Sequence, residues 1–215
     1  MLIGLDLDGT LLDSRLRHVV ALRQAADALA VPLSDDDAQT YFKLKCEGSS
    51  GIEALWQLGI PKAEGIGQRW VEIIESEELL AYDRLYSDTI DALERQLVRR
   101  NTLVLVTGRQ NPPAALRQIA RLGLEKYFRE IIVVDSRDRS LSKAAATYRH
   151  NLSAIVGDTE IDFQWASDLR VNFYASSFGF RSQSFWNRRQ VTSHASLSAI
   201  FDAITLTAGN AAPTS

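Results

Sequence analysis

Asp6-Leu7-Asp8-Gly9-Thr10 follows directly on the apolar run Leu2-Ile3-Gly4-Leu5. Two carboxylates two residues apart on an extended backbone project in similar directions. Such a pair is costly unless a cation or a shared proton lies between its members. Mg²⁺, hard and oxygen-seeking, meets that need while keeping waters and a substrate phosphate oxygen in its shell. Gly9 permits an abrupt turn, and Thr10 adds a hydroxyl and a backbone N–H. A second candidate is Thr107-Gly108-Arg109, closing the apolar run Val104-Leu105-Val106. A hydroxyl followed by bare glycine backbone suits an anion, and Arg109 is a further candidate ligand for it. Asp158 follows Val156-Gly157, with Asp162 one helical turn on. Asp158 reads either as a third carboxylate for a metal shell or as the cap of the next helix. Lys143, after Ser142, could hold a phosphate and offset the acids.

For these side chains to meet, apolar strands must end side by side. Residues 2–6, 102–106, 130–135, 153–157 and 170–174 read as five buried strands, aliphatic and mostly not alternating. Helices predicted over 88–99, 112–122, 142–150, 160–167 and 196–206 separate or follow them. Pro112 and Pro113 suit a first turn and Gly123 a C-terminal cap. Strand and helix in alternation imply an α/β fold, a doubly wound parallel sheet, with ligands at the carboxyl ends of its strands. Residues 15–84 break the rhythm with helical patterns only, at 16–30, 34–45, 51–58 and 66–80. Ser34 with Asp37 forms a capping-box pattern. This segment reads as a four-helix subdomain, inserted between 1–14 and 85–205. The small, polar stretch 206–215 reads as a frayed, disordered tail.

Composition sets the outer bounds. The chain has 215 residues, 46% hydrophobic and 24% charged, enough for a sizeable core. A formal net charge of −3 and an isoelectric point near 5.7 give no support for nucleic-acid or anionic-membrane binding. The single cysteine, Cys46, excludes an intrachain disulfide or a thiolate metal cluster within one chain. No apolar run approaches the ~20 residues of a membrane span. No basic stretch precedes the first apolar run, so no secretory leader is expected and the cytoplasm is the expected compartment.

In the order and spacing of these motifs, the sequence resembles the haloacid dehalogenase-like (HAD) hydrolase superfamily, in particular its phosphatases with a helical cap. The resemblance covers about 1–14 and 85–205. It implies a Rossmann-like core, Mg²⁺ as cofactor and a small phosphorylated metabolite as substrate. Asp6 then matches the nucleophile, Asp8 the general acid/base and Thr107 the phosphate-binding hydroxyl. Lys143 matches the lysine of the third motif, although Ala-Ala-Ala follows it rather than Lys-Pro; Arg137 and Arg139 are alternatives. Asp6, Asp8 and Asp158 would form the metal site with Asp162 in support. Gly9, Thr10, Gly108, Arg109 and Lys45 would contact substrate. The helical insertion resembles the cap of phosphoglycolate-phosphatase-like members, where Lys43, Lys45 and the loop 48–51 would face the leaving group.

Other readings use the same residues. A phosphotransferase or mutase would differ in how the cap admits water. A phosphonate hydrolase would need Lys43 or Lys45 as a Schiff-base amine. A regulatory module would bind phosphate without turnover. A receiver-type domain also places Asp, Thr and Lys at strand ends, but it draws its acidic pair and phosphoacceptor from different strands and has no 70-residue insertion.

Overall fold

The computed structural model describes residues 1–137 and 142–210. Its main sheet contains β1 (Leu2–Leu5), β4 (Thr102–Arg109), β5 (Glu130–Asp135), β6 (Ala154–Gly157), β7 (Asn172–Ser176) and β8 (Ser193–His194). The spatial order is β5-β4-β1-β6-β7-β8, and every pairing is parallel. The chain therefore winds outward from β1 in one direction, returns to its other side at β6 and winds outward again. That reversal leaves a crevice at the carboxyl ends of β1, β4 and β6.

Successive β4 residues serve opposite layers, which is why the strand is uniformly apolar. Leu103 and Leu105 join Ala92 and Leu93 of α6 (Thr89–Val98), Ile119 of α7 (Pro112–Arg121) and Phe201 of α11 (Leu197–Asn210). Val104 and Val106 join Ala144 of α8 (Lys143–Thr147) and Trp165 of α9 (Glu160–Leu169).

Between β1 and β4 lie α1 (Arg15–Asp27), α2 (Asp35–Cys46), α3 (Gly51–Gln57), α4 (Ala63–Ile73) and α5 (Glu77–Leu80). They pack around a core of their own that includes Leu22, Tyr41, Leu55 and Ile66. The Ser34–Asp37 capping box forms as expected. The single helix expected over 66–80 is two, because Ser76 caps a new helix by accepting from the Leu79 N–H. The two connections to this segment pair as an antiparallel ribbon, β2 (Leu12–Asp13) with β3 (Arg84–Leu85). Strands of two residues carry no periodic signal, so neither this ribbon nor β8 was legible.

The stretch after β7 holds α10 (Gln183–Arg188), also too short to read by periodicity. At the C-terminus, α11 continues through Asn210 where fraying was expected from 206. The Thr205 and Thr207 hydroxyls bond back to the Phe201 and Ala203 carbonyls, so polar residues here remain compatible with helix. The remainder of that expected tail, 211–215, lies outside the described residues. None of the described helices is long and apolar enough to cross a membrane.

Candidate active site

Asp6 ends β1 almost fully buried, and its Oδ1 accepts from Lys143 Nζ at 2.5 Å. The same ammonium donates to Asp162 Oδ1 at 2.6 Å. Asp6, Asp158 and Asp162 can each offer one carboxylate oxygen within 4.8 Å of the others. One lysine therefore faces three acids. Burial, partly opposed by Lys143 and reinforced by Asp162, pushes Asp6 up to about 7. Burial and then Asp6 and Asp162 hold Asp158 well above the usual carboxylate range. Burial opposes the charge on Lys143, but Asp162 and Asp6 outweigh it and raise its proton affinity. Oxygen-only donors with surplus negative charge suit a hard divalent cation. Asp158 Oδ1 is buried without a partner among the described residues, while Oδ2 accepts from the Phe180 N–H at 2.5 Å. The residues present thus fit such an ion.

The loop after β1 is wound tightly. Leu11 and Leu12 N–H groups both return to the Leu7 carbonyl, and Gly9 adopts φ +78°. A Cβ on Gly9 would stand 1.9 Å from Asp158 Oδ2, so only glycine lets the two loops touch. Gly179 closes from the other side, where a Cβ would stand 2.3 Å from the Gly9 carbonyl oxygen. Asp162 owes its place to the start of α9: its Oδ2 accepts from the Asp158 and Thr159 N–H groups and the Thr159 hydroxyl. It is at once a helix-capping residue and the second anchor of Lys143.

Asp8 has partners of its own: it lines the same cavity as Asp6 and Asp158, lies outside the group Asp6–Asp158–Asp162, and is paired with two buried arginines. Arg17 Nη2 lies 2.5 Å from Asp8 Oδ1, and Arg109 Nη2 lies 2.7 Å from Oδ2. Burial alone would raise Asp8, but Arg109 and Arg17 outweigh it and hold the carboxyl below its usual range. The contacts close into a ring. Arg17 Nε reaches Asp83 at 3.2 Å, Gln118 Nε2 donates to Asp83 at 2.6 Å, and Arg109 Nη2 donates to Gln118 Oε1 at 3.2 Å. Arg17 and Asp83 belong to the helical segment and its return connection; Gln118 and Arg109 belong to the sheet domain.

Around the acids lies a cavity of about 520 Å³, lined in part by Asp6, Asp8, Thr107, Gly108, Lys143 and Asp158. The expected residues divide accordingly. Lys143 is the basic residue brought against the acids, whereas exposed Arg137 pairs with neighbouring Asp135; Arg139 lies outside the described residues. Gly9 and Thr10 are not in the lining, and the Thr10 hydroxyl is buried without a partner among the described residues. Arg109 is committed to Asp8 and Gln118 rather than to the cavity. Lys43 is exposed. Lys45 stands outside the lining with its ammonium over the rings of Trp70 (5.1 Å), Tyr41 (5.7 Å) and Phe180 (5.7 Å). Burial and then Arg181 push it down to about 8.

Several contributors were not legible. Phe180 lines the cavity and bonds Asp158 through its backbone. Arg181 pairs bidentately with Glu160 and donates to the Lys45 carbonyl. Arg17, Asp83 and Gln118 complete the ring about Asp8. The one local hint was Ser182 before a short mixed run: it is the N-cap of α10, accepting from Phe185 N–H. The others lack a local motif because their partners are remote in sequence.

The chain matches the family described as haloacid dehalogenase-like hydrolase over residues 3–176. It is 25% identical to a tyrosine-protein kinase, PtkA, of Mycobacterium tuberculosis, over 89% of this chain and 67% of that protein. A haloacid dehalogenase-like family hydrolase from Streptococcus pneumoniae superposes with a TM-score of 0.74 at 21% identity, over 94% of this chain and 97% of the other. A predicted phosphatase from Clostridium acetobutylicum gives a TM-score of 0.73 at 16% identity, over 95% and 97%. These two structural likenesses are likenesses of fold.

Proposed function

The chain belongs to the haloacid dehalogenase-like hydrolases, and from that premise we propose a Mg²⁺-dependent phosphatase that hydrolyses a small phosphorylated metabolite through an aspartyl-phosphate on Asp6. The observation that carries this reading is the Asp6 carboxylate held 2.5 Å from Lys143 inside an acid-lined cavity that also presents Thr107 and Gly108. A carboxylate so placed is suited to covalent catalysis.

In this reading Asp6 attacks phosphorus and the bond to the leaving oxygen breaks. Lys143 offsets the charge of the transferring phosphoryl group, and the Thr107 hydroxyl and Gly108 backbone orient its oxygens. Asp6 and Asp158 would hold Mg²⁺, with Asp162 steadying Lys143 and the start of α9. When bound, the ion supplies positive charge to the phosphoryl oxygens and lets the acids stay ionised together. Asp8 serves as the acid–base residue. Paired with Arg17 and Arg109 it is ionised and its basicity is lowered. It must therefore swing off the guanidinium groups both to donate a proton to the leaving oxygen and to take one from the attacking water. That water attacks phosphorus, breaks the Asp6–phosphorus bond and releases inorganic phosphate. The helical segment α1–α5 acts as a cap over the site.

Hydrolysis of a generic aryl phosphate, measured with Mg²⁺ and in excess EDTA, tests the proposal. Turnover should require the ion, and full activity in chelator would remove the mechanism. A second reading, phosphoryl transfer to an acceptor other than water, is favoured by the relative named a tyrosine-protein kinase. It predicts labelled phosphate on an added acceptor rather than released as inorganic phosphate.

A further inference from the structure

Phe180 belongs both to the lining of the cavity, with Asp158 and Lys143, and to an aromatic cluster whose other rings come from the helical segment. The His18 ring lies 4.6 Å from the Phe180 ring and the Phe42 ring 6.0 Å away. His18 in turn lies 5.1 Å from Trp70, and the Lys45 ammonium is held over Trp70, Tyr41 and Phe180. Among the described residues no carboxylate pairs with Lys45. An unpaired cation over aromatic faces is attracted by them but is not neutralised.

The backbone on either side of the Phe180 ring is fixed. Its own N–H is bonded to Asp158, Arg181 is tied to Glu160 and the Lys45 carbonyl, and the Ser182 N–H donates to the Cys46 carbonyl at 3.1 Å. Gly179 is wedged against the Gly9 carbonyl and the Asp158 carboxylate. The ring is thus mounted on a stretch anchored to both the acid cluster and the helical segment.

We propose that Phe180 is the specificity-determining residue of this site: an aromatic partition that confines the leaving group to the acid-lined cavity and keeps it from the cationic cage around Lys45. This rests on the phosphatase reading above. With the ring in place, the site admits small leaving groups. With the ring removed, cavity and cage join, and the added space carries an uncompensated positive charge. Larger leaving groups should gain, and anionic ones should gain most.

The test compares the wild-type protein with Phe180→Ala, Phe180→Leu and Phe180→Ala/Lys45→Met at saturating Mg²⁺. The substrates are acetyl phosphate, phenyl phosphate, naphthyl phosphate and carboxyphenyl phosphate. In Phe180→Ala the kcat/KM ratio of naphthyl to acetyl phosphate should rise about tenfold or more, the scale on which apolar pockets discriminate size. Carboxyphenyl phosphate should gain further over phenyl phosphate, and Lys45→Met in that background should cancel this extra gain. Phe180→Leu, which keeps an apolar wall, should give an intermediate ratio and serves if the alanine variant does not fold.

An independent measurement is the rate at which acetic anhydride labels Lys45, read by peptide mass spectrometry. It should rise in Phe180→Ala. All three variants keep the backbone N–H on Asp158, so the Mg²⁺ concentration for half-maximal activity should stay put. Unchanged substrate ratios, unchanged labelling, or a loss explained wholly by weaker Mg²⁺ dependence would each overturn the partition. A wild-type protein that hydrolyses none of these four phosphates would instead overturn the phosphatase reading, and the labelling rate would still decide whether Phe180 screens Lys45.

Discussion

Arg17, on the first helix after β1, reaches Asp8 in the loop that ends β1, with Nη2 2.5 Å from Oδ1. Both its other neighbour Asp83 and the guanidinium itself are buried. Truncating one member of a buried pair leaves the other charge uncompensated, typically at about 3–5 kcal/mol. Arg17→Met should therefore destabilise by about 3 kcal/mol, moderated because Asp8 keeps Arg109 and Asp83 keeps Gln118. Urea unfolding checks this, and Arg17→Met/Asp83→Asn should lose less than the sum of its single changes. Independent, additive losses would mean that the pair is not coupled in solution.

Lys143 neutralises acids that a cation could also neutralise. Lys143→Met leaves Asp6, Asp158 and Asp162 facing one another in a buried site. Its thermal midpoint should fall below that of the wild-type chain and rise again with Mg²⁺, since a ligand that binds only the folded state stabilises it by mass action. Turnover should not recover, because the ammonium aimed at the phosphoryl group is gone. A midpoint indifferent to Mg²⁺ in both proteins would show that the cluster is not a metal site.

Asp6 and Asp8 should fail differently. Asp6→Asn removes the attacking oxygen, so turnover should drop to background and rapid quench should find no phosphoenzyme. Asp8→Asn removes an acid–base group, a loss of ~10²–10⁴-fold, smaller for nitrophenyl phosphate, whose leaving group departs unprotonated. Label should accumulate on the Asp8 variant. Wild-type levels of phosphoenzyme in Asp6→Asn would move the nucleophile elsewhere.

The Lys45 ammonium gives a pH signature of known sign. Burial, then Arg181, lowers it from 10.5 to about 8, while nearby Cys46 acts in the opposite direction. The folded chain therefore releases this proton near pH 8, and the unfolded chain holds it to 10.5. The penalty of keeping the charge is fully present below pH 8 and is relieved as pH rises through that window, so this residue's contribution to stability improves with pH there. Denaturant titrations at pH 7.5 and 10 should show a larger rise for the wild-type chain than for Lys45→Met. Equal pH dependence in the two proteins would place Lys45 in water.

Much of this molecule was legible because it is local. The apolar run 2–5 followed by Asp6, the Ser34–Asp37 box, and Pro112-Pro113 with Gly123 at φ +67° each specify a strand end, a helix start or a stop within a few residues. Once strands β1, β4 and β6 are parallel neighbours, Asp6, Thr107 and Asp158 must share one end of the sheet. Lys143 needed only the next element along. The pairing of Asp8 was another matter. Counting residues gives it the side of Asp6 and the same cavity lining, but not Arg17 and Arg109, the two buried partners that take up its charge. Asp162, predicted to be a supporting residue, entered the acid cluster through the Thr159 capping box and the shared lysine. Phe180 took its place only when the stretch after β7 folded back on Asp158 and on the end of α2. Local sequence sets backbone conformation, and so which residues stand at a strand end. Where a buried charge or ring finally points is settled by partners far off in sequence, 137 positions away in the Lys143–Asp6 pair. An unpaired buried charge is too costly to leave as the backbone alone would aim it.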